Sequence, residues 1–399
     1  MEEAACRFHI ILTAAQSQET WPALKIEQVE SFLIRDAYVV RITTDSGISG
    51  IGQTACWGYP EAVGEVISRF RPWLIGQDPL RIEHIQQFLY RMGPFRGSVL
   101  SGAIAAVDIA LWDIKGKQFQ APVWQLLGGR VRDRIRLHLL MGGKDPEDAR
   151  KRAVEAREEG FTAVKLDPLP DGYHSMTLSR MISDTRDMVA AVREGAGLDV
   201  DVILEIHRKL TPMTSVALAE ALVEFRPMFY EDPIQIDSVI SQGEIARRTT
   251  IPVANGERMH SIWEFRELLT HGGPQYVRPD VGLAGGLTQC KKIAAIAESF
   301  HSAVITHNYL GPILTAASVH LDASIPNFIT QEYSKSDEAA HNAIYRTVLK
   351  REGGHIPVPE APGLGVELDE ELLAAAQHEP RDLPAANPLR DDGSVAYAV

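Results

Sequence analysis

The chain has 399 residues, 45% of them hydrophobic and 23% charged, with a net charge of −13. That length is too great for one ordinary core and suits two domains. The acidic balance argues against nucleic acid or an anionic membrane as a partner, and an anionic substrate would need a local positive charge.

The three cysteines, Cys6, Cys56 and Cys290, are odd in number and show no CxxC spacing. A disulfide scaffold or structural zinc site is therefore not expected, and a reducing cytoplasm is. The opening "MEEAACRFHI" has no basic segment followed by an apolar run, so no signal peptide is expected. No apolar stretch reaches the ~18 residues that would read as a membrane span.

The first element in chain order is "YVVRITTDSGISGIGQT", residues 38–54, where two β-rich runs flank the turn signal "TDSG". It predicts an antiparallel hairpin. Helical periodicity follows from Ala62 to Lys117, and the small residues of "SGAIAAVDIALWDIKGK" predict a helix packed closely on a neighbour. "LLGG", residues 126–129, ends the pattern.

A rhythm then begins. Eight β-rich runs start at Arg134, Thr162, Asp201, Pro227, Ile251, Gln275, Ser302 and Asn327, about 25 residues apart, with amphipathic stretches between them. Strand alternating with helix means βα units and a parallel sheet, and eight units point to a closed barrel. A doubly wound open sheet is the alternative. Against it, no GxGxxG follows the first run and polar residues end nearly every run. The tail from Gly353, rich in proline and glycine, reads as an irregular return segment against the first domain. The expected division is an α+β capping domain at 1–125, completed by 355–399, and a barrel at 126–354.

In such a barrel the C-terminal ends of the strands line the active site. Here they carry Lys165 and Asp167, Glu205 and His207, Glu231, Glu257, Asp280, His307 and Glu332. Glu205, Glu231 and Glu257 follow one another at intervals of 26 residues, one βα unit each. Three carboxylates placed side by side repel unless a cation meets them. Oxygen-only ligands select a hard ion, Mg²⁺.

The triad, together with "YEDP", "NGER", "RPDVGLAGGLT" and "THNYLGP", resembles the enolase superfamily, mandelate racemase subgroup. The resemblance covers nearly the whole chain. It implies a modified (β/α)7β barrel capped by an α+β domain. It also implies Mg²⁺ on the triad, binding the substrate carboxylate, and removal of the adjacent proton. In that pattern His307 is the base, oriented by Asp280. Lys165 adds positive charge, and a protonated Glu332 donates to the developing enolate oxygen. The family's Lys-x-Lys reads Lys165-Leu166-Asp167 here, which argues against racemisation by a lysine–histidine pair.

His207 stands two residues after Glu205. It resembles the acid of the acid-sugar dehydratases similar to galactonate dehydratase, which protonates the departing 3-hydroxyl. Strand alternation would place both residues on one face. The usual Asp-x-His of that subgroup is Glu205-Ile206-His207 here. Trp21 in "AQSQETWPALK", with Trp57 and Tyr59, matches the lid by position. Arg258, Met259 and His260, together with Asn308 and Tyr309, are placed to meet hydroxyls, with Asp167 beside them. The expected activity is Mg²⁺-dependent dehydration of a linear acid sugar, an aldonate or aldarate, to a 2-keto-3-deoxy acid. A cycloisomerase or epimerase, or a non-catalytic sugar-acid binder, are the alternatives. The expected partners are a small acid-sugar substrate and copies of the chain itself, an octamer by the family's habit, with no nucleic acid or membrane.

Overall fold

The computed structural model describes residues 24–378 and 389–396. Three antiparallel strands open the chain: β1 (Ile26–Ile34), β2 (Ala37–Thr44) and β3 (Ser49–Gln53). The expected hairpin is β2–β3. Gly47 turns it at φ +83°, and Thr44 bonds back to Ile48. Sequence reasoning had not found β1, whose buried positions do not alternate.

Helices α1 (Pro60–Leu74), α2 (Ile82–Arg91) and α3 (Ser98–Gln118) follow. The small residues of α3 serve close packing. A Cβ on Gly50 or Gly52 of β3 would run into the carbonyls of Ala110 and Ala106.

The eight runs then form eight strands: β4 (Arg134–Leu140), β5 (Ala163–Leu166), β6 (Asp201–Glu205), β7 (Phe229–Glu231), β8 (Val253–Asn255), β9 (Tyr276–Val277), β10 (Ala303–Val304) and β11 (Gln331–Tyr333). β4 to β10 pair in sequence, in parallel. β11 pairs with β4, and Phe328 just before it bridges to Val304, so the ring closes. One α-helix lies in each of the seven intervals among these described strands, which gives (β/α)7β. Local chemistry starts these helices. Thr211, before Pro212, and Thr214, after it, form a capping box, and Asp145, Thr177, Ser238 and Ser261 cap others.

Apolar side chains, among them Ala163, Ile203, Phe229, Ala254 and Ile305, fill the barrel interior. The buried carboxylates Glu205, Glu231, Glu257 and Asp280 lie at or just past the strand ends. The "GLAGGLT" segment receives α3 there. Thr288 donates its backbone N–H to Asp108 at 3.1 Å, and Trp112 donates to the Thr288 hydroxyl at 2.8 Å. The tail touches both parts. His355–Pro357 pairs with β4, while Leu364 N–H donates to Asp113 of α3 and Lys117 binds Glu367. Among the described residues, no helix is long and apolar enough to cross a membrane.

Candidate active site

β6, β7 and β8 run in parallel register, with Glu205 opposite Glu231. Glu205 and Glu231 end their strands, and Glu257 lies two residues past β8. Each offers an oxygen within 4.8 Å of the other two, and they are 1%, 0% and 3% exposed. Lys165 on β5 donates to Glu205 at 2.9 Å and to Glu231 at 3.1 Å, and meets Glu332 at 2.5 Å. Burial alone would lower its pKa, as would Arg278, but the three glutamates hold it above the usual lysine range. Lys165 is a fixed positive charge.

Sequence reasoning missed three side chains. Arg278, wholly buried just past β9, pairs with Glu231 and donates to Glu332 at 2.5 Å. Arg208 joins Asp232 at 2.6 Å to Glu257 at 2.8 Å, and Asn255 supports Asp232 at 3.0 Å. His138 on β4 faces Glu332 at 3.6 Å, and burial keeps it neutral, its pKa lowered to about 3. A signal was present: Arg278 is two residues before Asp280, and buried carboxylates require cations.

These cations change the expected state of Glu332. The sequence predicts a protonated donor. Burial does push its carboxyl up, but Lys165, Arg278 and His307 outweigh that and hold it well below the usual range. Here Glu332 accepts. Glu257 is likewise held low, against burial, by His307, Arg208 and Arg258. Glu231 goes the other way: burial, then the Glu205 charge, push it well above the ordinary value despite Arg278. Glu205 is also held low, against burial, by Lys165 and His207, so of the three it is Glu231 that the protein's own cations leave short of positive charge. Three clustered carboxylates with that deficit fit a hard divalent cation such as Mg²⁺.

Two aspartate–histidine pairs flank the triad. His307 follows β10 and binds Asp280 through Nδ1 at 2.5 Å, while its Nε2 lies 3.5 Å from Glu257 and 3.6 Å from Glu332. Gly282 N–H holds the other Asp280 oxygen at 2.7 Å. Burial lowers the His307 pKa, but Glu257, Glu332 and Asp280 more than reverse it. On the other side, His207 Nδ1 meets Asp167 at 2.8 Å, and Lys209 meets the same oxygen.

Strand alternation does not place His207. β6 ends at Glu205, and the chain turns left-handed at His207 (φ +51°) and Arg208 (φ +63°). The His207 N–H donates to Glu205 at 2.8 Å, which fixes the turn. Asp167, expected to meet substrate, is engaged by His207 and Lys209 through one oxygen.

Of the expected lid residues, Trp21 lies outside the described residues. The Arg258 guanidinium sits 5.1 Å over the Trp57 ring and 3.3 Å from Glu257. Tyr59 is 61% exposed. His260 pairs with Glu264 at 3.4 Å, and its carbonyl accepts from Ser101. The Tyr309 ring lies 5.5 Å from the His307 ring, and Asn308 is buried beside it.

Residues 25–128 match the family model described as mandelate racemase / muconate lactonizing enzyme, N-terminal domain, and residues 148–372 match that of the enolase C-terminal domain-like family. The chain belongs to the enolase superfamily, in its mandelate racemase subgroup. It is an enzyme of that superfamily. D-galactonate dehydratases of Cronobacter sakazakii and Variovorax paradoxus are each 36% identical over 386 residues, covering 94% of this chain and 100% of theirs. An enolase from Agrobacterium radiobacter, solved with Na and L-malate bound, superposes with a TM-score of 0.88 at 28% identity, covering 94% of this chain and 100% of that one. The 3,6-anhydro-D-galactonate cycloisomerase from Zobellia galactanivorans gives 0.80 at 29% identity, covering 88% and 99%.

Proposed function

We propose that this superfamily member is a Mg²⁺-dependent dehydratase of a linear acid sugar, an aldonate or aldarate. The observation that carries this is the pair of aspartate–histidine couples, Asp280–His307 and Asp167–His207, on either side of one carboxylate triad. A base alone would serve many reactions of a carbon acid. A second, separately held histidine supplies the acid that elimination requires.

Glu205, Glu231 and Glu257 would hold the Mg²⁺, which when bound offsets the negative charge that develops on the substrate carboxylate. Lys165 adds fixed positive charge beside it. His307 Nε2 takes the C2 proton, and Asp280 holds the ring by Nδ1 and stabilises the imidazolium. The C3–O bond then breaks, and its electron pair leaves with the hydroxyl. Asp167 engages Nδ1 of His207, so Nε2 is the atom that protonates the leaving group, which departs as water. The resulting enol takes a solvent proton at C3 and becomes the 2-keto-3-deoxy acid.

The proposed cap comprises residues 1–125 and the segment from 355 onward, over a barrel of 126–354. Trp57, Tyr59, Arg258, His260, Asn308 and Tyr309 are the side chains proposed to meet the sugar. The similarity to a cycloisomerase supports a second reading, in which a ring oxygen leaves in place of the hydroxyl.

Incubation with Mg²⁺ and a panel of acid sugars including D-galactonate tests both. Release of a 2-keto-3-deoxy acid from a linear aldonate or aldarate is expected. Reaction of anhydro sugar acids alone would favour the second reading, and no reaction across the panel would contradict both.

A further inference from the structure

Lys209 moves no proton in the proposed reaction, yet it is tied to the proposed acid. Its backbone N–H donates to the Ile206 carbonyl at 3.3 Å, and it forms a β-bridge with Ile234 in the loop after β7. Its Nζ meets Asp167 Oδ2 at 2.5 Å and lies 5.5 Å over the Tyr173 ring. His207 Nδ1 reaches that same Oδ2 at 2.8 Å. The other Asp167 oxygen, Oδ1, accepts from the Leu169 N–H at 3.1 Å.

The two aspartate–histidine couples are therefore anchored differently. His307 and Asp280 are buried, and the Gly282 N–H holds the second Asp280 oxygen. The His207 and Asp167 side chains are 30% and 23% exposed, so packing restrains them less. The last torsions of aspartate and histidine have broad preferences, and contacts must fix both planes. Burial pushes the Asp167 carboxyl up, but His207 and Lys209 hold it below its ordinary value. It stays an acceptor toward both. A lysine ammonium can only donate. Lys209 thus pins Oδ2 without offering the imidazole a second acceptor, and Nδ1 is left to donate to Asp167. The ring stays beside the triad: the His207 N–H is bonded to Glu205, and its charge helps to hold that carboxyl low.

We infer that Lys209 is a positioning residue which, by pinning Asp167 Oδ2, fixes the plane of the His207 ring. That His207 gives up a proton rests on the dehydratase reading. The anchoring does not. Lys209 acts only through Asp167, and the Asp280–His307 couple is independent of it.

Two measurements test this. Crystal structures of the wild type and of Lys209→Met, both grown with Mg²⁺, read the anchoring without any substrate. In the variant the Asp167 carboxylate should turn about its Cβ–Cγ bond and the His207 contact should open beyond hydrogen-bond reach, while Asp280–His307 is unmoved. An unchanged Asp167–His207 contact would overturn the proposal. The second measurement is turnover of D-galactonate in D₂O. Displacing a reacting group by about 1 Å can cost about 10²-fold, so Lys209→Met should lower kcat for keto-acid release about 10- to 100-fold with KM nearly unchanged. Deuterium should still enter recovered substrate at C2, because His307 keeps its own anchor. Lys209→Arg, which keeps a cation on Asp167, should recover most of kcat. Loss of C2 exchange together with keto-acid release, or equal impairment in the arginine variant, would contradict the positioning role. Absence of D-galactonate turnover by the wild type would count against the dehydratase reading, and the crystal structures would still decide the anchoring.

Discussion

His207 and His307 are assigned opposite duties on one substrate, and a single substitution separates them. His207→Asn removes the proposed proton donor and leaves Lys165, the triad and the Asp280–His307 couple in place. Elimination should slow by about 10²- to 10⁴-fold, the usual contribution of a general acid. Deuterium from solvent should still enter recovered substrate at C2. Keto-acid release and C2 exchange, followed by NMR in one sample, read both. If both fall together, His207 positions substrate or metal rather than donating a proton.

At this scale the sequence showed the carboxylates and hid their partners. Equal spacing betrays Glu205, Glu231 and Glu257, because a repeat in sequence becomes adjacency in a barrel. Arg278, Arg208 and His138 lack any such periodicity. Arg278 is nonetheless wholly buried against Glu231 and Glu332. Its role follows only from asking which charges neutralise the others. That same accounting makes Glu332 an acceptor rather than the donor expected of it.

Among elements, the joint between α3 and the "GLAGGLT" segment matters most for placing the site. Asp280, which bonds His307, stands two residues before this segment and is held by the N–H of its Gly282, and α3 docks on the segment through Asp108 and Trp112. Gly286 has φ +83°, and an added Cβ would collide with the Asp108 carboxylate. Gly286→Ala should therefore cost about 2–5 kcal/mol, from backbone strain and overpacking together. Gly47→Ala has the same φ but nothing within 4 Å of the added Cβ, and should cost only about 1–2 kcal/mol. Chemical denaturation of both variants measures the difference. Equal losses would mean that the Asp108 contact is unimportant.

The repeat also explains which elements were legible. β9 and β10 have only two residues each, yet both are found because they fall where a βα rhythm requires a strand. β1 is longer but stands outside any repeat, and its buried positions do not alternate. The turn that carries His207 was misjudged for a related reason. Alternation is a rule for strands, and the strand stops at Glu205, where the backbone turns left-handed.

For the molecule as a whole, the acidic centre should make stability depend on its cation. A ligand that binds only the folded state stabilises it by about 2.7 kcal/mol at 100 times its Kd. Mg²⁺ should raise the melting temperature of the wild type. Glu231→Gln keeps the side-chain shape but removes one negative ligand, so this variant should lose both that shift and activity while remaining folded. Thermal unfolding with and without Mg²⁺ checks this, and an equal shift in the variant would place the cation elsewhere.

The central claim is that one substrate loses its C2 proton to His307 and then its C3 hydroxyl. Turnover of D-galactonate in D₂O with Mg²⁺, followed by NMR, tests it most directly. The account predicts a 2-keto-3-deoxy acid carrying one solvent deuterium at C3, with neither product nor C2 exchange from His307→Asn. Product without deuterium at C3, or undiminished C2 exchange in that variant, would contradict it.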